Sequence, residues 1–423
     1  MSESIPVSDL RVGMFIHLDL GWMAHPFPLS SFRIVSADQI DTVRGLGLAR
    51  VRWDPARSEV AAPAGVGLLE AESPPPATEA PALSAAAQAQ AARQRAMEAQ
   101  EQATELCERQ FAEAARDVRR IHDQAQADPA AALADVNRLT GALLDKMLVA
   151  DSLNVRVLTE PAGERAATHA LNVATVAMLL GRQQQLVRAD LGDLGAGALL
   201  HDVGKQMLPD RLRLRRDDFS ASELAAYRQH VVHGVALVHG MGVAQPVLLA
   251  VAQHHEHLDG SGFPQGVAGD KITPLARLVG LVNAFDNLCN PAEAAKALTP
   301  HEALSRLYAQ GRGKYDPTLI SALIRLLGIY PPGSVVELSD SRLALVTSVN
   351  DARPLKPCVL AYDGKASSQK LSHLDLADYP DLGVRRSLRP DQLPAMAASY
   401  LRPRRRLTYF FDAAPPNDDE PAA

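Results

Sequence analysis

The spacing of apolar and polar positions divides the chain into segments of different texture. Residues 5–54 mix short β-like runs, Met14-Phe15-Ile16 and Ala49–Trp53, with a helix-like stretch from Ala37 to Leu46, which predicts a small α+β unit. From Ala130 to Leu327 apolar residues recur at helical spacing, interrupted by Gly and Pro clusters. After Gly328–Gly333 the texture changes again. Strand-like runs at Ser334–Leu338, Leu343–Val349 and Cys358–Tyr362 alternate with turn residues.

The stretches between these segments set the boundaries. Residues 56–85 are rich in Pro and Ala, with PPPA at Pro74–Ala77, and proline removes a backbone donor, so they read as a linker. Residues 86–129 are dominated by Ala, Gln, Glu and Arg, which predicts a connecting helix with a homodimer as one option for its exposed face. The expected organisation is an α+β domain at 1–55, a linker at 56–85, a connecting helix at 86–129 and a helical domain at 130–333. A β-rich C-terminal appendage at 334–411 and a disordered tail at 412–423 follow. The fold class expected is mainly α.

Composition refines this picture. A chain of 423 residues exceeds what one core organises, and 47% hydrophobic content with only 4% aromatics favours helices packed through small and aliphatic side chains. A net charge of -6 argues against a broad basic surface for duplex nucleic acid and leaves room for a small nucleotide. Cys107, Cys289 and Cys358 are far apart and odd in number, which argues against a disulfide framework. With no basic-then-apolar start and no run near the ~20 apolar residues of a membrane helix, the expectation is a cytoplasmic protein without membrane insertion.

The histidines carry the chemistry. His201-Asp202 ends the apolar run LGAGALL and precedes Val203-Gly204-Lys205, so an ionisable pair stands where a helix leaves a core. Burying such a pair alone is costly, and a divalent cation offsets that cost because imidazole and carboxylate are good ligands. His230 and Gly234 form HxxxG on a helix, and His254-His255-Glu256 follows PVLLAVAQ and runs on as HHEHLDGSGFP. Successive helical side chains differ by about 100°, so His254 and His255 are expected to contact different ions of a binuclear centre.

These motifs resemble the HD-GYP family, whose pattern runs H, HDxGK, HxxxG and HHExxDGxGYP. The matches are His169, His201-Asp202 with Lys205, His230 with Gly234, and His254-His255-Glu256 with Asp259-Gly260-Ser261-Gly262-Phe263-Pro264. The segment DLRVGMFIHLDLGWMAHPF also resembles the domain that precedes HD-GYP in a bacterial subgroup. The resemblance implies a helical core holding two divalent ions of the Fe, Mn or Ni kind and hydrolysing cyclic di-GMP through pGpG to GMP with a metal-bridging hydroxide. His169, His201, Asp202, His230, His254, His255 and, by position, Asn283 would be the ligands. Asp202 and Lys205 would be catalytic, Lys205 meeting a phosphate oxygen, and Asp259, Gly260, Gly262, Phe263 and Pro264 would shape the substrate pocket.

The chain departs from the family pattern at three places. Phe263 stands for the Tyr of GYP, which keeps the ring and loses the hydroxyl. Asn283, two residues before Phe285, stands where the family has an Asp ligand, and an amide brings no charge to balance the cations. An Arg-Pro-Tyr type stretch that supplies cations to the substrate is missing, and NPAEAAKALTP offers only Lys296. Apart from these three, Glu164 lies five residues before His169, whereas a third-metal carboxylate in some relatives lies four before, where Arg165 stands, which favours two metals over three. The alternative to an active phosphodiesterase is a weakened module that binds cyclic di-GMP or docks a signalling partner such as a diguanylate cyclase. A metal phosphohydrolase for another nucleotide is the third reading.

Overall fold

The computed structural model of the chain describes residues 3–20, 24–25, 27, 31–59, 85–149, 152–158, 164–350, 353–364, 371–403 and 406–413. Most of the expected linker, 60–84, and residues 414–423 of the expected tail lie outside the described residues. The chain divides into two compact units, residues 1–103 and 104–423.

In the first unit, strands β1 (Glu3–Pro6), β2 (Phe15–His17), β3 (Ser31–Arg33) and β4 (Arg50–Asp54) form a four-stranded sheet in the order β1-β4-β2-β3, and helix α1 (Ala37–Gly45) lies between β3 and β4 in sequence. Alternation sets the packing: in β4 Arg50 and Arg52 face out while Val51 and Trp53 are buried. Trp53 joins Met14, Ile16, Ile34 and Val43 in one core. Ser36 caps α1 by accepting from the Gln39 N–H, which explains why the helix starts there.

The long helix α2 (Ala85–Ala127) leads into the second unit. Its Cys107, Phe111, Ala114, Val118, Ile121 and Ala125 recur at spacings of three and four and are all buried, so this part of the helix is a packed wall of the second unit. Helix α3 (Pro129–Val149) follows, then strand β5 (Leu153–Val157), which is buried along its whole length. Helices α4 (Arg165–Gln183), α5 (Arg188–Leu200), α6 (Ala221–Met241), α7 (Gln245–Gln253) and α8 (Pro274–Cys289) carry the site described below. Helices α9 (Pro300–Gln310) and α10 (Pro317–Leu327) complete the helical layer. Apolar residues surround α4, which therefore runs through the middle of the unit with Leu171, Ala174, Met178 and Leu180 inside. Among the described residues no helix is long and apolar enough to cross a membrane.

The C-terminal region adds β6 (Val335–Leu338), β7 (Leu343–Asn350), β8 (Cys358–Tyr362), β9 (Leu371–Asp375), β10 (Val384–Leu388), helix α11 (Ala395–Leu401) and β11 (Tyr409–Ala413). All strand pairings in this seven-stranded sheet are antiparallel, and β5 sits in it between β7 and β11. The β-rich segment is thus joined to the helical segment through a strand that precedes α4. Arg156 of β5 donates to both carboxylate oxygens of Asp412 on β11, at 2.7 and 2.8 Å, in a buried bidentate pair. Asp412 and Ala413, the first residues of the tail expected from the sequence, are therefore part of the sheet, because the pairing with Arg156 and β5 continues through them.

Candidate metal centre

Five points of the helical layer bring ionisable side chains together. His169 lies near the start of α4, His201 and Asp202 follow the last residue of α5, and Lys205 lies in the short 3-10 turn Val203–Met207. His230 is on α6, and His254 and His255 follow the end of α7. Glycines set the approach of these elements. A Cβ on Gly204 would stand 2.0 Å from the His230 carbonyl oxygen and 2.3 Å from the Gly234 nitrogen, so only glycine there lets the turn after His201-Asp202 lie directly on α6.

Asp202 is the hub, and its two oxygens serve two groups. Oδ1 lies 3.4 Å from His230 Nε2 and 3.7 Å from His254 Nε2. With His255 these side chains offer ligand atoms that all lie within 4.8 Å of one another. Oδ2 lies 3.4 Å from His169 Nε2 and 3.4 Å from His201 Nε2, and it is also ion-paired to Lys205. His169, His201 and Asp202 make the second compact group.

The hydrogen bonding shows what the first group is suited to hold. Asp202 Oδ1 and the Nε2 atoms of His230, His254 and His255 are buried without a hydrogen-bond partner. Each such atom costs about 1–3 kcal/mol when left unsatisfied, so four of them facing one point demand a common partner. A divalent cation fits, because all four are lone-pair donors. The tautomers agree: Nδ1 of His201, His230 and His254 stands 2.7, 2.7 and 2.8 Å from the carbonyl oxygens of Ala198, Tyr227 and Val251. Donation from Nδ1 to these carbonyls leaves the lone pair on Nε2, toward Asp202.

Charge follows the same division. Burial lowers the His201 imidazole to about 4 and that of His230 to about 3, and it pushes His255 well below the ordinary value, so these rings are neutral ligands at pH 7. Burial also works against the charge of His169, but hydrogen bonds to Asp202 and Asp286 prevail and raise it to about 9. Burial opposes ionisation of Asp202 as well, yet Lys205 and the surrounding imidazoles hold its carboxyl well below the usual range. Lys205 lies 5.5 Å above the Tyr227 ring, and Asp202 keeps it charged despite its burial.

His254 and His255 do not divide between two groups as the helical angle suggests: both belong to the group around Asp202 Oδ1. The reason is local. Helix α7 ends at Gln253, so His255 lies in a turn and the 100° rule no longer separates the pair.

Glu256, between His255 and the glycine-rich loop, is buried and accepts from the Gln265 N–H at 2.8 Å and the Val267 N–H at 3.0 Å. It therefore ties the chain that leaves the loop 259–264 back to the turn that carries His254 and His255. Gly262 makes its close approach to the chain itself, since a Cβ there would meet Glu256 Cα at 2.5 Å. Asp259 Oδ1 accepts from the Ser261 N–H at 2.9 Å, and Gly260 takes a φ of 76°, which shapes the turn. Phe263, followed by a cis peptide bond to Pro264, stacks on His255 with ring centroids 4.4 Å apart and planes at 23°. The ring thus supports a ligand, a task that needs no hydroxyl.

Helix α8 brings Asp286 and Asn283 to the same region. Asp286 Oδ2 stands 2.6 Å from His169 Nδ1, the ring nitrogen that faces away from Asp202. Asn283 is buried, and its side-chain oxygen accepts from Asn287 Nδ2 at 2.6 Å. Glu164 lies 3.6 Å from Arg119, and Arg165 donates to the carbonyls of Asn290 and Ala292, so neither is part of the two groups. A separate cavity of about 670 Å³ is lined by Leu144, Asp193, Ala196 and Val247 among others and contains none of the histidines.

Residues 149–319 match the model of the HD domain, and all the motifs of the centre lie in that span. Over most of its length the chain is similar to cyclic di-GMP phosphodiesterase PA4108 of Pseudomonas aeruginosa, with 28% identity over 365 residues that make up 86% of this chain and 85% of the relative. The chain contains an HD domain, and its motifs resemble the HD-GYP pattern. The chain is also similar to the cyclic di-GMP phosphodiesterase response regulator RpfG of Xanthomonas campestris pv. campestris, 34% identical over 152 residues, 36% of this chain and 40% of the relative. A 3'3'-cGAMP-specific phosphodiesterase of Vibrio cholerae is 28% identical over 165 residues, 39% of this chain and 36% of the relative. Residues 2–136 of the chain match a domain of unknown function (DUF3391).

Proposed function

We propose that the protein is a metal-dependent phosphodiesterase that hydrolyses cyclic di-GMP through pGpG to GMP. The observation that carries this reading is the set of four buried, unpartnered ligand atoms around Asp202 Oδ1. Cyclic di-GMP is favoured as substrate because the relative similar over 86% of the chain acts on it, whereas the 3'3'-cGAMP enzyme is similar over 39%.

Divalent ions of the Fe, Mn or Ni kind held by the two groups would supply Lewis acidity, making water acidic enough to attack at neutral pH and neutralising charge on the phosphodiester. The side chains of the chain do the rest. Asp202, with one oxygen in each group, fixes the spacing of the two groups. Lys205, charged and paired to Asp202, takes a phosphate oxygen of the substrate. The loop with Asp259, Gly260, Gly262, Phe263 and Pro264, held by Glu256, borders the substrate.

The two groups are unequal. Around Asp202 Oδ1 four atoms await a ligand, whereas Oδ2 is already paired with Lys205, and Asn283 contributes no charge on the side of His169 and His201. The His230, His254 and His255 group therefore holds its ion more tightly.

Chromatography of cyclic di-GMP incubated with protein loaded anaerobically with Mn or Fe tests this reading: pGpG appears first and GMP follows. Faster turnover of 3'3'-cGAMP would reassign the substrate. Tight metal binding with no product from either nucleotide would leave the binding module that Asn283 favours.

A further inference from the structure

A second cavity, of about 220 Å³, has walls that include Arg215, Arg216, Lys296, Arg306 and Asn287. Two carboxylates, Asp217 and Glu293, also line it, so cations outnumber acids two to one in a chain of net charge -6. The carboxylates are already committed. Lys296 is bound by Asp217 at 2.6 Å and Glu293 at 3.1 Å, and Arg216 is bound by Asp218 at 2.9 Å. Among the described residues Arg215 and Arg306 form no ion pair, so two guanidinium groups remain open toward this cavity.

One wall of the cavity is formed by helix α8, which also runs to the metal centre. Asn287 lines the cavity and donates to Asn283, on the same helix α8 that presents Asp286 to His169. A ligand with one phosphate at the metal centre would have to extend along α8 to bring a second anionic group to these arginines.

We propose that Arg215 and Arg306 bind the second phosphate of the dinucleotide substrate. This assignment rests on the cyclic dinucleotide reading. Guanidinium suits the task because its planar donors match two phosphate oxygens at once. The second phosphate takes no part in bond cleavage, so the pair acts in recognition.

The test compares cyclic di-GMP with bis(p-nitrophenyl) phosphate, which carries a single phosphodiester, in the metal-loaded full chain and its Arg215→Ala, Arg306→Ala and double variants. The preference for cyclic di-GMP, taken as the ratio of the two kcat/KM values, falls about tenfold in each single variant and about a hundredfold in the double, mainly through KM, the scale of losing a charged hydrogen bond. An unchanged ratio overturns the assignment, whether the two activities stay level or decline together. Wild-type protein that cleaves bis(p-nitrophenyl) phosphate but no cyclic dinucleotide overturns the substrate reading itself, and the assignment with it.

Discussion

Asp286 Oδ2 lies 2.6 Å from Nδ1 of His169, while Asp202 lies 3.4 Å from Nε2 on the other side of the same ring. The imidazole is thus gripped from behind by one carboxylate and faces the other. Asp286 Oδ1 in turn accepts from Asn172 and Asn290, both at 2.9 Å, and both amides also donate to the Leu407 carbonyl. The chain leading into β11 therefore buttresses the residue that orients His169. From its spacing to Asn283, Asp286 could have replaced the missing ligand; the structure makes it a positioning residue, because its carboxylate meets the nitrogen that points away from the centre.

Asp286→Asn should loosen the ring without emptying the core. Partners of this kind are worth about 10–100-fold in metal affinity or activity. Metal titration followed by elemental analysis should show loss confined to the His169 and His201 group, with the other ion retained. Loss of both ions together would point to general unfolding.

Asn283→Asp should act in the opposite direction. A carboxylate at 283, one turn of α8 before Asp286, would add charge on the side of the centre where Asp286 meets His169, so occupancy of the His169 and His201 group should rise at limiting metal. Unchanged occupancy in a competition titration against a chelator would show that position 283 does not face the ion.

Gly204→Ala should cost stability as well as activity. Its Cβ would stand 2.0 Å from the His230 carbonyl oxygen, a backbone atom that cannot rotate away. Overpacking of this kind costs about 1–3 kcal/mol or more, read as a lower denaturant midpoint at unchanged slope. A midpoint equal to that of wild type would mean that the turn and α6 separate easily.

Acid should destabilise the ion-free protein. His201 and His230 fall from 6.5 in the unfolded chain to about 4 and about 3 in the fold, so between these limits the unfolded state binds more protons. Stability is then lost as pH falls below about 6.5. His169, raised to about 9, has the opposite sign: its contribution is full below 6.5 and is lost as pH rises through 9. Thermal midpoints measured across this range in chelator should decline at both ends.

Much of this is legible in the sequence for a physical reason. Most of the candidate ligands lie in short motifs near helix ends, with His230 inside α6, so a few residues of spacing carry the signal, and the glycines of HDVGK and HxxxG mark the contact between two backbones. Strand β5 is not legible. Its partners Ser348–Asn350 and Tyr409–Ala413 come from the far end of the chain, and such pairing leaves no local periodicity. Glu256 and Asp286 are likewise visible only as polar residues next to motifs, since what they hold is brought to them by folding. The joint placement of His254 and His255 depends on α7 stopping at Gln253, a boundary that periodicity locates only to within a few residues.

The most direct test of the central claim measures bound metal and cyclic di-GMP turnover on the same preparation, for wild type and Asp202→Ala, both purified without air and loaded with Mn or Fe. Asp202 touches both groups, so its removal should release metal from both and abolish turnover that the wild type shows. Wild-type protein that binds metal but leaves cyclic di-GMP intact, or an Asp202→Ala variant that still cleaves it, would contradict hydrolysis at this centre.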